Sequence, residues 1–208
     1  MTPLVIAHRG ASWDLPDNTL PAIERAIDIG ADFVEIDVHP LGDRLVVVHG
    51  VPKRTVDYPT LEQVVELTSG RIGLMVELKR PYRYRRYDVV GRALKVLDDE
   101  AILVCFEPGA LLEAQRLRPR VRRLQHVGFG VSISSAARYA WGVGFGNRRA
   151  TSRGIARAQA LGLATTVFTV NSAARMRQLA GYGVTGIFTD RPDLMRRTLG
   201  RSPSGRPD

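Results

Sequence analysis

Along the 208-residue chain, short apolar runs alternate with segments whose apolar residues recur at helical spacing, as expected of βα units. Residues 4–7 read as a first strand, and 19–29 as a helix with Asn18 at its N-cap and Gly30 as its stop. Residues 33–38 predict a second strand, with 45–48 a short extra strand running on from it. A helix over 61–68, a strand over 73–78, a helix over 89–97, a strand over 102–106 and a helix over 110–117 follow. Strands over 121–127 and 141–145 flank a short helix near 134–140. The pattern closes with a helix over 152–161, a strand over 164–170, a helix over 173–182, a strand over 186–189 and a helix over 192–199. Residues 201–208, rich in Ser, Pro and Gly, are expected to be disordered.

About eight βα repeats result, the count that a small α/β (β/α)8 TIM barrel needs. The length favours one domain, over residues 1–200. The competing architecture is an open doubly wound sheet, which would place a Gly-x-Gly-x-x-Gly turn after a strand with an acidic residue at a set distance. The chain has no such turn; Gly142-Val-Gly-Phe-Gly146 falls inside a predicted strand and reads as packing.

Four groups of polar residues end predicted strands, where barrel enzymes place their active sites. His8-Arg9-Gly10 ends the first strand. In Glu35-Ile36-Asp37 the carboxylates are two residues apart, so both point to one face while Ile36 points away. His49 follows the run over 45–48, and Glu77-Leu78-Lys79 repeats the i, i+2 pattern. Inward carboxylates in apolar strands are costly without positive compensation. Three hard oxygen donors suit Mg2+ or Ca2+, histidines shuttle protons near neutrality, and Arg and Lys neutralise phosphate oxygens. The same residues also describe a buried ion-pair network.

The strings Ile6-Ala-His-Arg-Gly-Ala11 and Pro16-Asp-Asn-Thr19 resemble the HRG…PENT opening of glycerophosphodiester phosphodiesterases. Val34-Glu-Ile-Asp-Val38 and Val46-Val-Val-His49 are similar to that family's second strand and the histidine after it, and Leu74-Met-Val-Glu-Leu-Lys79 to its I-E-x-K strand. Val167-Phe-Thr-Val-Asn171 resembles W-T-V-N, and residues 183–192 resemble G-V-D-G-I-x-T-D-x-P. The resemblance implies a TIM barrel with one divalent cation held by Glu35, Asp37 and Glu77. It further implies His8 and His49 as the acid–base pair, and Arg9 and Lys79 on the phosphate. Phe168, where the family often has Trp, keeps an aromatic wall. The implied reaction gives glycerol 3-phosphate and an alcohol. The chain departs from the family at Asp17, where Glu is usual, and at Gly50, where Asp is usual. Only residues 50–72 separate His49 from the third strand, so the insertion that normally roofs the glycerol end is nearly absent and an open site is expected.

Other residues read more plainly. Cys105, the only cysteine, sits in an apolar run and reads as a core thiol. His39 and His126 read as loop or core residues. Asn171 and Asp190 suit helix caps as well as functional roles. The stretch 82–87, which interleaves tyrosines with arginines, reads as a solvated loop placed to rim the pocket. The beginning lacks the features of a secretory signal and no stretch spans a bilayer, which predicts a cytoplasmic enzyme.

Charge modifies this picture. Residues 1–113 carry 13 Lys or Arg and 18 Asp or Glu; residues 114–208 carry 17 and 3. If the later helices turn their arginines outward, peripheral contact with an anionic lipid surface is expected, with no specific nucleic acid. The leading expectation is hydrolysis of a small-molecule phosphodiester. The alternatives are phospholipase D-like action on lysophospholipids, including a lyase reaction giving a cyclic phosphate, and a non-catalytic barrel that binds an anionic partner. Oligomeric state is not legible in the sequence.

Overall fold

The computed structural model describes residues 2–201 except Phe129. Its strands are β1 (Leu4–His8), β2 (Phe33–Leu41), β3 (Arg44–Val47), β4 (Gly73–Leu78), β5 (Ile102–Cys105), β6 (Arg122–Val127), β7 (Gly142–Gly146), β8 (Ala164–Phe168) and β9 (Gly186–Thr189). The helices are α1 (Leu20–Ile29), α2 (Leu61–Thr68), α3 (Val89–Val96), α4 (Pro108–Leu117), α5 (Ile133–Ala136), α6 (Ser152–Ala160), α7 (Ala173–Gly181) and α8 (Pro192–Thr198). All strands except β3 are parallel to their neighbours, and β1 pairs with both β9 and β2. That double pairing closes the barrel and excludes the open sheet.

The expected β2–β3 connection needs correction. β3 does not run on from β2 but doubles back on it, pairing antiparallel from Val38↔Val47 to Leu41↔Arg44. The hairpin extends β2 past the barrel rim and returns the chain to the level of Asp37, where the Val48 N–H donates to the Asp37 carbonyl at 2.9 Å. His49 is thereby delivered to the carboxylates from outside the barrel.

Strand alternation divides the interior. Ile6, Met75, Ile102, Val104, Leu124 and Phe188 pack together inside the barrel. The opposite faces of the same strands, including Val5, Ala7, Val34, Ile36, Val76 and Leu103, join the larger core beneath the helices. Two residues beyond Ile6, Met75, Leu124 and Phe188 on the same faces stand His8, Glu77, His126 and Asp190. The interior therefore changes from apolar to polar toward the C-terminal ends of the strands.

The cap of α1 also differs from expectation. Thr19 Oγ1 accepts from the Ala22 N–H at 3.3 Å, which leaves Asn18 free of that duty. Arg201, first residue of the segment expected to be disordered, is bound to Asp32 and donates to the Pro3 carbonyl at 3.1 Å. Residues 202–208 lie outside the described residues. Several second-half arginines grip backbone carbonyls: Arg118 that of Leu97, Arg123 that of Tyr139, and Arg175 those of Asn147 and Ala150. Part of the basic charge is thus structural.

The turn after β1 depends on Gly10, which has φ 86° and whose added Cβ would stand 2.6 Å from the Ala22 backbone carbon. Gly10→Ala should destabilise the protein by at least about 2 kcal/mol, through both the positive φ and the clash with α1. Urea denaturation checks this; an unchanged midpoint would show that the turn relaxes freely.

Candidate active site

Glu35 and Asp37 on β2 and Glu77 on β4 are buried, and each offers an oxygen within 4.8 Å of the others. The register explains the convergence, since Asp37 lies level with Glu77 and Glu35 level with His8. Asp37 is the hub. Its Oδ2 lies 2.8 Å from Arg9 Nε in an ion pair, accepts from Asn18 Nδ2 at 3.0 Å and faces His49 Nδ1 at 3.1 Å. Its Oδ1 lies 2.8 Å from Lys79 Nζ, which also contacts Glu77 Oε1 at 2.8 Å. Burial pushes the Asp37 carboxyl upward, but Lys79, Arg9 and Asn18 outweigh it and hold the group below its ordinary range.

Glu35 behaves oppositely. Its carboxylate accepts the Arg9 N–H at 3.2 Å, yet burial and then the charges of Asp37 and Glu77 push its pKa well up. Glu77 is raised too, chiefly by burial, against the pull of Lys79. Three buried carboxylates thus face two partly buried cations, Arg9 and Lys79. This surplus of hard, negative oxygen donors fits one divalent cation.

The histidines stand at the edge of the cluster. His8 Nδ1 lies 2.6 Å from Asp190 Oδ1. Asp190 is held in turn: its Oδ2 accepts from Asn171 Nδ2 at 2.5 Å, its Oδ1 accepts from Ser12 Oγ at 3.1 Å, and its own N–H donates to Asn171 Oδ1 at 2.9 Å. Burial raises the Asp190 pKa, but the bonds from His8, Asn171 and Ser12 prevail and lower it. Asn171 and Asp190 therefore build the support of His8; neither provides a side-chain cap, the N-cap residues of α7 and α8 being Ser172 and Arg191. His49 is half-exposed, and burial lowers its pKa more than Asp37 raises it.

His126, read as a core or loop residue, is a core residue placed beside the cluster. Its ring packs 4.0 Å from that of Phe168 and 4.9 Å from that of Phe106, and its Nε2 lies 4.0 Å from Glu77 Oε2. Gly144 makes the room, since a Cβ there would approach His126 Nδ1 to 2.3 Å. Burial, helped by Lys79 and His8, drops the imidazole pKa to about 3, so it is neutral at physiological pH. Its signal in the sequence was its position two residues after inward-facing Leu124. Asn18 was missed because it was read as a cap; the adjacent Thr19, itself a good cap, was the clue.

All eight residues named from the sequence, His8, Arg9, Glu35, Asp37, His49, Glu77, Lys79 and Phe168, come to this end of the barrel. A cleft of about 410 Å³ reaches three of them, His49, Glu77 and Lys79, and is lined also by Val51, Arg80 and Phe106 among others. Cys105 also lines it, but its thiol is buried and pushed up to about 12, which suits the structural role expected of it. A second cleft of about 420 Å³, at the opposite end of the barrel near Asp32, Arg71 and Asp98, brings none of these groups together. Asp17 occupies the position usually held by Glu and still reaches Arg9 Nη1 at 2.9 Å.

A model of the glycerophosphoryl diester phosphodiesterase family matches residues 8–68 and 51–194. The chain belongs to this family. It is a phosphodiesterase. A glycerophosphodiester phosphodiesterase of Bacillus subtilis is 25% identical over 252 residues, covering 93% of this chain and 85% of that protein. The aligned region is longer than the present chain, so the relative carries segments absent here. A glycerophosphodiester phosphodiesterase structure from Parabacteroides distasonis superposes with a TM-score of 0.85 at 25% identity, covering 96% of this chain and 97% of that one. An Oleispira antarctica phosphodiesterase in complex with the product sn-glycerol-3-phosphate shares the fold, with a TM-score of 0.86, 24% identity and the same coverage.

Within this phosphodiesterase, Asp190→Asn keeps the shape of the His8 support and removes its charge. Turnover should fall about 10–100-fold, the usual cost of losing a partner that orients a functional histidine, with KM near wild type and the thermal unfolding midpoint at pH 7 lowered, because the stabilising charge is gone. Because the folded Asp190 pKa lies below its ordinary 3.8, its stabilisation is present above that value and lost as pH falls through the folded one. The variant should lack that acid-induced loss. Unchanged turnover would remove Asp190 from the reaction.

Proposed function

We propose that the enzyme hydrolyses glycerophosphodiesters to glycerol 3-phosphate and a free alcohol. In this reading Glu35, Asp37 and Glu77 hold one divalent cation, Mg2+ or Ca2+. The observation that carries it is the convergence of three buried carboxylates, two histidines and two cations at one barrel end. The product named for the Oleispira relative supports the choice of substrate. When bound, the cation would act as a Lewis acid on a phosphate oxygen.

The chain's own groups account for the proton movements. Each histidine donates Nδ1–H to a carboxylate, His8 to Asp190 and His49 to Asp37, which leaves each Nε2 to exchange a proton with substrate. One accepts the proton of the water that attacks phosphorus, and the other gives a proton to the departing alkoxide. Lys79 donates to Glu77, forms an ion pair with Asp37 and keeps an N–H donor for a phosphate oxygen. Arg9, fixed by Asp17 and Asp37, presents its charge beside it. Phe168, packed on His126, forms an apolar wall for the carbon part of the substrate.

Incubation with glycerophosphocholine and Mg2+ or Ca2+, followed by phosphorus NMR, tests the proposal. Glycerol 3-phosphate is expected; a cyclic phosphate would mean that the substrate's own hydroxyl attacks. Glu77→Gln should weaken cation binding and activity together, and His8→Ala and His49→Ala should each lower turnover by about 10²–10⁴ with the fold retained. Activity that survives both exhaustive chelation and Glu77→Gln would refute the metal site.

Proton linkage gives an independent check. The raised Glu35 pKa means that the cation-free protein holds this proton to higher pH than an ordinary carboxyl does, with a stabilisation fully present below the ordinary 4.5 and lost as pH rises through the folded value. Binding of a divalent cation should therefore release protons, and affinity should rise with pH. Calorimetry in buffers of different ionisation enthalpy, repeated across a range of pH, measures the release; binding without release at every pH, with an affinity indifferent to pH, would exclude Glu35 as a ligand.

A further inference from the structure

Eight large apolar side chains are exposed among the described residues, and five follow strands around the active-site mouth: Trp13 (59% exposed), Val51 (63%), Val56 (42%), Tyr82 (65%) and Phe106 (43%). Their placement at the mouth is fixed by contacts. Val51 and Phe106 line the cleft that holds Glu77, Lys79 and His49, and Val56 shares the Val51 loop. Trp13 donates its N–H to the Asp190 carbonyl at 3.1 Å, and Tyr82 donates its N–H to the Glu107 carboxylate, beside Phe106, at 2.8 Å.

Exposed cations alternate with these tips. Lys53 and Arg54 lie between Val51 and Val56, and Arg80, Arg83, Arg85 and Arg86 surround Tyr82. Arg191 stacks 4.7 Å from the Trp13 ring. Of the acidic groups of the same segments, Asp17 pairs with Arg9, Glu107 with Tyr82, Asp190 with His8 and Asp88 caps α3, while Asp14 and Asp57 stand exposed and are outnumbered by the cations. The mouth therefore presents apolar tips within a net positive field. A nucleic acid would use the arginines but gain nothing from isolated valines. An anionic bilayer matches both, with phosphates for the cations and hydrocarbon within reach of the tips.

We propose that the active-site mouth is a docking surface for an anionic phospholipid bilayer, which brings membrane-borne phosphodiester headgroups to the cleft. This rests on the assignment of that mouth as the active site. The surface is not the one that the uneven charge along the chain suggested: it is built largely by loops of the acidic first half.

Co-sedimentation of the full chain with vesicles of phosphatidylcholine, alone or mixed with phosphatidylglycerol, tests the proposal, with hydrolysis of soluble glycerophosphocholine followed in parallel. Binding is expected to the mixed vesicles, weakening steeply between low and physiological salt as charges beyond about 8 Å become screened. Arg83→Glu and Arg85→Glu should each lower partition by about five-fold or more. Tyr82→Ala and Val56→Ser should lower it without changing the salt dependence, and all four variants should keep soluble turnover. Docking is overturned by absent binding, by equal binding to neutral vesicles, or by partition indifferent to the Arg and Tyr82 variants. Retention on duplex DNA but not on vesicles would also overturn it. Vesicle binding without soluble hydrolysis would refute the proposed reaction and leave docking standing, whereas the converse would refute docking alone.

Discussion

The buried carboxylate of Asp37 is the constraint on which this end of the molecule depends. A lone charge removed from water costs several kcal/mol or more, and only pairing and hydrogen bonding recover that cost. The partners of Asp37 come from separate parts of the chain: Arg9 and Asn18 from the turn after β1, Lys79 from the end of β4 and His49 from beyond β3. The backbone serves the same end, since Arg9 and Asn18 both adopt positive φ near 59° to aim their side chains inward. One charge thus ties four segments together, and those segments carry most of the proposed catalytic groups.

The barrel makes this concentration of polarity tolerable. Parallel strands alternate their side chains with period two, so one register serves an apolar floor, a polar layer above it and an outer core under the helices. Phe188 and Leu124 in the floor stand two residues before Asp190 and His126 in the layer above. His126 is the hinge between the two regimes: it packs among phenylalanines like a core residue, yet directs Nε2 toward Glu77. A neutral imidazole suits that place, because a second buried cation beside Lys79 would be disfavoured.

Compactness shapes the outer surface. With 208 residues against an aligned region of 252, the chain lacks segments that its Bacillus relative carries. The connections after β1, β3, β4 and β5 present apolar tips and cations around the cleft. Several arginines of the second half, by contrast, staple backbone carbonyls and so serve packing as well as the surface field.

Much of this was legible in the sequence, for a definite reason. Strand and helix positions follow from hydrophobic period, and α2, β4 and β9 lie where the pattern places them. The i, i+2 spacing of Glu35 and Asp37 requires a shared face in any strand, so their convergence is local information. What the sequence alone could not decide depends on contacts across long separations. Asn18 and Thr19 are both adequate caps, and only the position of Asp37, 19 residues away, makes Asn18 a ligand of that carboxylate. Asp190 could cap a helix as readily as hold a histidine; barrel closure, by pairing β9 with β1, brings it 2.6 Å from His8 across 182 residues. The reversal of β3 on β2, and with it the delivery of His49, was likewise a choice between continuing and turning back that the apolar run over 45–48 does not encode. Periodicity fixes which face a residue takes; only closure of the sheet fixes what that face meets.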